Sequence, residues 1–296
     1  MSSATAAGRP STALRSEASA ARRRRVGKLV SYGVLAAIAI IYVFPFVIAV
    51  VTSFKTDPDA TQNPLSLAPS PATTGAFRQL YQDQDFLLWL KNSAIVTLSV
   101  TFLRVFLDSL AGYALARLRF RGRGAAFATI VAVMAVPGVV LLIPKFLMIR
   151  QLGMYDTYYG MIIPLLVDAA GVFIMKNFFE SIPVSVEESA RIDGASIFRI
   201  YWSIVLPMAR PALVTIFILS FQGSWNELAH FIISAQSSGL NTLTKGVAQL
   251  ASGQLGVGNR YPLKLAASVL MTIPVAVLFF VFQRRIMNVS SGAVKE

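Results

Sequence analysis

Residues 29–52 read LVSYGVLAAIAIIYVFPFVIAVVT, a run without one charged side chain. At about 1.5 Å per residue, a helix of that length crosses a hydrocarbon core roughly 30 Å thick. The run is too long for the apolar region of a secretory signal, and no small-residue cleavage site follows it. A retained transmembrane helix is the expectation.

Similar blocks recur downstream at about 93–115, 125–147, 158–178, 211–233 and 265–282, the second of them interrupted by Pro137 and Pro144. Proline is tolerated in a membrane helix where neighbours satisfy the freed carbonyls. Only 14% of the residues are charged and 55% are apolar, whereas soluble domains carry about 25% charge. The pattern predicts an all-α, polytopic membrane protein of six transmembrane helices. It forms a single membrane domain over 28–290, and no internal repeat is visible.

The net charge of +13 is unevenly placed. Arg9, Arg15, Arg22 to Arg25 and Lys28 precede the first span, and Arg117, Arg119, Arg121 and Arg123 follow the second. Basic clusters beside apolar spans mark the cytoplasmic side. This placement argues against nucleic acid as a partner and for membrane lipid. Residues 1–27 read as a disordered basic cytoplasmic tail, too poor in apolar bulk to fold, and 291–296 as a cytoplasmic C-terminal tail. The 117–124 and 179–210 segments and Arg284–Arg285 then fall inside. The loops 54–92, 149–157 and 234–262 fall outside.

Cysteine is absent, which excludes disulfides and thiolate chemistry, and His230 is the only histidine, so no multi-histidine metal site is expected. Gly27-Lys28 lacks the upstream glycine and following Ser or Thr of a phosphate loop. No short-range acid–base or nucleophile pattern suggests catalysis.

The segment 179–210 is long for an internal loop and reads as two short helices. Ser185 and Glu188 have capping-box spacing, and Glu187 and Glu188 suit the positive end of a helix dipole. Asp193-Gly194 closes the first helix, since glycine accepts the left-handed conformation. A second run, 196–205, stops before Pro207. Such a hairpin fits either a partner's groove or the headgroup layer.

The order of residues here resembles the signature of ABC importer permeases: Glu188-Ser189-Ala190, three residues, Gly194, nine residues, Ile204, one residue, Leu206-Pro207. Serine stands where that signature has its first alanine. Asn92-Ser93, Tyr113-Ala114-Leu115-Ala116-Arg117 and Trp225-Asn226-Glu227 resemble the carbohydrate-uptake, maltose-type branch with six spans. The resemblance implies the type I ABC importer permease fold, in the bacterial cytoplasmic membrane with both termini cytoplasmic. It makes 185–207 a coupling segment that docks on an ATP-binding subunit, through Glu187, Glu188, Ala190, Asp193, Gly194, Ala195, Leu206 and Pro207. It further implies a second, different permease subunit, two ATP-binding subunits holding ATP and Mg, and an external solute-binding protein. The cargo would be a sugar or sugar derivative. An ion-gradient-driven transporter and an integral-membrane enzyme using Asp168, Glu227 and His230 are the alternatives.

Ionisable groups within spans suggest function. Arg104 and Asp108 lie four apart on one helix face and can pair. Asp168 has no local partner and either faces a polar pathway or lies shallower. Gln222, Asn226 and His230 are also spaced by four, beside Trp225 and Glu227. A polar stripe next to an indole suits a sugar crossing the membrane, although polar groups also join helices.

Overall fold

A computed structural model describes residues 11–82, 84–253, 255 and 260–292. Every regular element among these is helical: α1 (Ser11–Thr52), α2 (Asp57–Gln62), α3 (Gly75–Gln82), α4 (Phe86–Arg117), α5 (Arg123–Met134), α6 (Leu142–Gln151), α7 (Tyr158–Ile162), α8 (Ala169–Ser181), α9 (Val184–Ile192), α10 (Ile197–Ile200), α11 (Leu206–Met208), α12 (Arg210–Trp225), α13 (Ala229–Ser234), α14 (Leu243–Ala251) and α15 (Tyr261–Gly292).

Four stretches are long and apolar enough to span: Gly27–Thr52, Phe86–Arg117, Tyr158–Ser181 and Tyr261–Gln283. Two more arise as bent pairs, α5 with Gly138–Gln151 at 102° and Ile197–Met208 with α12 at 79°. The expected third span is thus not straight. It turns at Pro137, which cannot donate to the helical ladder and pushes Val136 away from helical geometry.

Several sequence boundaries shift. The helix of the first span begins at Ser11, so 11–27, expected to be disordered, continues α1, while 1–10 lies outside the described residues. The expected fifth span over 211–233 ends at Trp225, with α13 a separate short helix. The sixth helix continues past Arg284–Arg285 to Gly292, and 293–296 lies outside the described residues.

α4 is the central column, and three apolar clusters line up along it. Tyr113 joins Met175, Phe179, Tyr201 and Ile216 at the arginine-rich end. Val96 and Val100 meet Met161, Leu165 and Phe231 in the middle. Phe86 and Trp89 meet Trp225, Leu243 and Leu263 at the opposite end. Lipid tails are as apolar as these side chains, so close backbone approach and dispersion hold such helices together. Gly112 shows this directly: a Cβ there would stand 2.6 Å from the Met175 Cβ. α1 differs, because its side chains from Leu29 to Phe46 are exposed and its contacts with the bundle lie near Thr52 and Ser53.

Candidate functional site

The hairpin between α8 and α12 is built as two short helices around a glycine turn. α9 starts behind Pro183, which has no N–H to leave unsatisfied. The expected Ser185–Glu188 capping box is not formed. Ser185 lies inside the helix, and its carbonyl accepts from Ser189 Oγ at 2.9 Å. The C-terminal expectation is met, with Asp193 ending α9 and Gly194 at φ +79°. Ser196 then caps α10, its hydroxyl accepting from Arg199 N at 3.3 Å. The chain widens into a π turn over Tyr201–Val205 before Pro207.

The hairpin has an inner and an outer face. Glu187 is buried, 2% exposed. Its Oε1 lies 2.9 Å from Arg117 Nε, and Tyr113 donates its hydroxyl to Oε2 at 3.3 Å. Arg191 approaches the same carboxylate at 3.6 Å from the next helical turn. Arg117 ends α4, and its Nη2 donates to the carbonyl of Phe179 at 2.7 Å and to that of Ile182. A guanidinium is well placed there, because carbonyls at a helix C-terminus carry partial negative charge. Although Arg117 Nε and Glu187 Oε1 are close, neither is aligned for a hydrogen bond. Their attraction is therefore mainly Coulombic. Ala190 is buried beside Glu187, and Ala195 and Leu206 rest on the same cluster.

The outer face carries Glu188, Asp193, Gly194 and Pro207, all exposed. Ile192, Ile197 and Phe198 are also open, Ile192 at 86% exposure. Phe198 stacks on Trp202 with ring centroids 6.3 Å apart. Apolar side chains ringed by charge on a protruding turn lie outside the core and are open to contact. Sequence reasoning missed Arg117 and Tyr113 as partners of this segment. The signal was present: Glu187 and Ala190 share one helix face, and a carboxylate on the inward face requires a cation.

In the middle of the bundle the expected Arg104–Asp108 pair does not form among the described residues. Both side chains turn to a break in the fourth span. Arg104 Nε donates to Leu165 O at 2.7 Å, and Asp108 Oδ1 accepts from Asp168 N at 3.1 Å. Asp168 caps α8, accepting from Gly171 N at 2.9 Å. Unpaired backbone groups are costly in lipid, so α4 supplies one donor and one acceptor to the interrupted neighbour. Gly171 is required at this approach, since a Cβ would meet Asp108 Oδ2 at 2.1 Å.

The expected polar stripe of the fifth span is interrupted as well. Gln222 and Asn226 are exposed, with Asn226 Nδ2 donating to Gln222 O at 3.0 Å. Glu227 caps α13, accepting from His230 N at 2.9 Å, and the buried His230 donates Nε2 to Met161 O at 3.2 Å. Trp225 is turned away from them. It is 4% exposed, stacked on Phe221, and donates Nε1 to Met271 O at 3.1 Å. The stripe fails because α12 ends where its period would need to continue.

At the opposite end, Asn92 donates to the carbonyls of Gly239 and Asn241 at 2.9 Å each and accepts from the Tyr158 hydroxyl at 2.6 Å. Ser93 Oγ accepts from Leu243 N at 2.7 Å. These bonds seat α14 against α4, where Gly246 lies so close to Trp89 that a Cβ would come within 2.2 Å of the indole. Asp156 fixes the same connection by accepting from Gln236 N and Ser237 N.

Bent apolar spans around a central helix, with an anchored hairpin exposed at one end, describe a polytopic membrane protein. The chain belongs to the family of binding-protein-dependent transport system inner membrane components, whose model matches residues 108–288. It is 31% identical over 262 residues to the arabinooligosaccharides transport system permease protein AraQ of Halalkalibacterium halodurans, covering 87% of this chain and 93% of that one. It is likewise 31% identical over 281 residues to the inner membrane ABC transporter permease protein YcjP of Escherichia coli, covering 93% and 99%. Its fold matches a chain in the crystal structure of a bacterial ABC transporter involved in import of the acidic polysaccharide alginate. The TM-score is 0.77 at 27% identity, covering 89% of this chain and 97% of that one. The protein is thus a non-catalytic, multi-helix membrane component of an ABC importer.

Proposed function

We propose that this chain is one of two different permease subunits of an importer that carries a sugar or sugar derivative across the bacterial cytoplasmic membrane. Relatives named for arabinooligosaccharides, sulfoquinovosyl glycerol and diacetylchitobiose support the cargo class. A solved relative in complex with a periplasmic alginate-bound protein supports an external solute-binding partner. The basic end of the bundle, with the hairpin, faces the cytoplasm together with both termini.

The observation that carries the reading is the hairpin's division of labour. Glu187 fastens its inner face to α4 and, through Arg117, to the end of α8, while Glu188, Ile192, Ile197 and Phe198 project outward. Two separate ATP-binding subunits, one per permease, would hold ATP and Mg and close on these tips. Their closure biases the bundle between an inward-open and an outward-open arrangement.

Purification in mild detergent tests this, by asking which proteins co-elute. An ATP-binding subunit, a second permease and ATP-dependent uptake are expected. Glu188→Lys, on an exposed position, should leave insertion and stability within about 0.5 kcal/mol yet abolish uptake and loosen the ATP-binding subunit. Uptake that survives ATP depletion but collapses with the ion gradient would overturn the reading.

A further inference from the structure

A cavity of about 210 Å³ opens beside the break in the fourth span, lined by Arg104, Asp108, Asp168, Gly171, Ser220 and Gly223. Its polar groups are only partly used. Arg104 donates through Nε, leaving both terminal nitrogens without a hydrogen bond among the described residues. Asp108 and Asp168 each accept on one oxygen, the other having no hydrogen bond among the described residues. Ser220 on α12 is 3% exposed, and its buried hydroxyl has no partner among the described residues. A buried hydroxyl without a partner is unfavourable, and the penalty is removed when something polar occupies the cavity.

The glycines keep the space open. Gly223 faces Arg104, where even an added Cβ would stand 4.0 Å from Nη1, and Gly171 admits the Asp108 carboxylate. The volume falls below the roughly 300 Å³ of sites for drug-sized ligands, so it suits one ring rather than a chain of rings. The charges matter more than the size. Two carboxyl groups, on Asp108 and Asp168, face the single guanidinium of Arg104. An anion gains nothing there. Hydroxyls do, because a hydroxyl donates to a carboxylate oxygen and accepts from a guanidinium at once.

We infer that this cavity receives one neutral, hydroxyl-bearing ring of the cargo, with Asp108 and Asp168 accepting, Arg104 and Ser220 donating, and that it discriminates against acidic sugars. The inference rests on the proposed sugar-import function and names where this subunit touches its cargo.

The absence of cysteine in the chain makes a direct test available. Ser220→Cys places a single thiol in the cavity with little change of volume. Membrane vesicles carrying the full chain with its co-purifying subunits are treated with cationic and anionic methanethiosulfonates. Labelling of this chain is followed with and without neutral oligosaccharides, maltotriose and arabinotriose among them, and with trigalacturonate. Import of each sugar is measured in parallel in vesicles carrying the unaltered chain. The expected result is labelling several-fold faster by the cationic reagent, slowed several-fold by an imported neutral sugar and unaffected by trigalacturonate. Absence of labelling, protection by trigalacturonate, or import of neutral sugars without protection would each overturn the site while leaving the importer reading intact. Import of no sugar by vesicles that retain all their subunits would instead overturn the function, and the site with it.

Discussion

Glu187→Gln isolates the charge that fastens the hairpin to the bundle while leaving its shape. Removing one member of a buried ion pair costs about 3–5 kcal/mol, because the other charge is left uncompensated. Arg117 would keep its two carbonyl acceptors on Phe179 and Ile182, which points to the lower end, about 3 kcal/mol. Arg117→Gln should cost more, since it also strands those carbonyls, each worth about 1–3 kcal/mol when buried without a donor. The doubly apolar variant, Arg117→Met with Glu187→Leu, should recover much of the loss, because well-packed apolar pairs often match a buried ion pair. The assay is equilibrium unfolding in mixed micelles, followed by tryptophan fluorescence from Trp202, whose neighbour Tyr201 belongs to the same cluster. A double-mutant cycle should return an interaction free energy of at least about 1.5 kcal/mol, within the range seen for residues in contact. Additivity within about 0.5 kcal/mol, or a single-variant cost below about 1 kcal/mol, would refute the anchoring role.

Other outcomes follow from local geometry. Gly194→Val forces a β-branched residue into φ +79°, costing about 1–2 kcal/mol locally; uptake should be lost while membrane insertion, checked by carbonate extraction, stays normal. Gly246→Ala drives a methyl into the Trp89 ring, and overpacking of about 1–3 kcal/mol should loosen α14, seen as faster proteolysis of the 235–253 connection. Asp156 has its carboxyl held below the ordinary value of 3.8, first by the Ser237 hydroxyl and then by the Ser237 and Gln236 amides. A depressed carboxylate contributes stability in full above its unfolded pKa and loses it as pH falls through the folded one. Hydrogen exchange at the Gln236 and Ser237 amides should therefore be flat above about pH 4, after correction for intrinsic rates, and lose protection below it; Asp156→Asn should remove that dependence.

Hydropathy located the first, second, fourth and sixth spans because each is a long apolar run with a polar boundary. It could not see the bends. Pro137 marks one, yet a proline kinks some membrane helices and breaks others, depending on which neighbours satisfy the carbonyls. The end of α12 at Trp225 is not marked by a proline, and Gly223 lies inside the last turn rather than at the cap; there the indole is fixed to Phe221 and to the Met271 carbonyl on α15. The same limit misdirected the reading of Arg104 and Asp108. A spacing of four shows that two residues share a face, but not that a break 60 residues away needs both of them. The hairpin was more legible, since Asp193-Gly194 and the Leu206-Pro207 boundary are encoded locally. Its anchor was not, because Arg117 is distant in sequence from Glu187.

The guanidinium of Arg117 has a consequence for biogenesis. It stands at the end of α4 and its partners come from the end of α8 and from α9, so the seat for Glu187 exists only after the fourth span has entered the bilayer beside the second. A nascent chain halted earlier has no place to fix the hairpin and, in the proposed importer, would offer no formed tip to a motor subunit. Recruitment of that subunit would thereby be reserved for chains whose helices are already assembled.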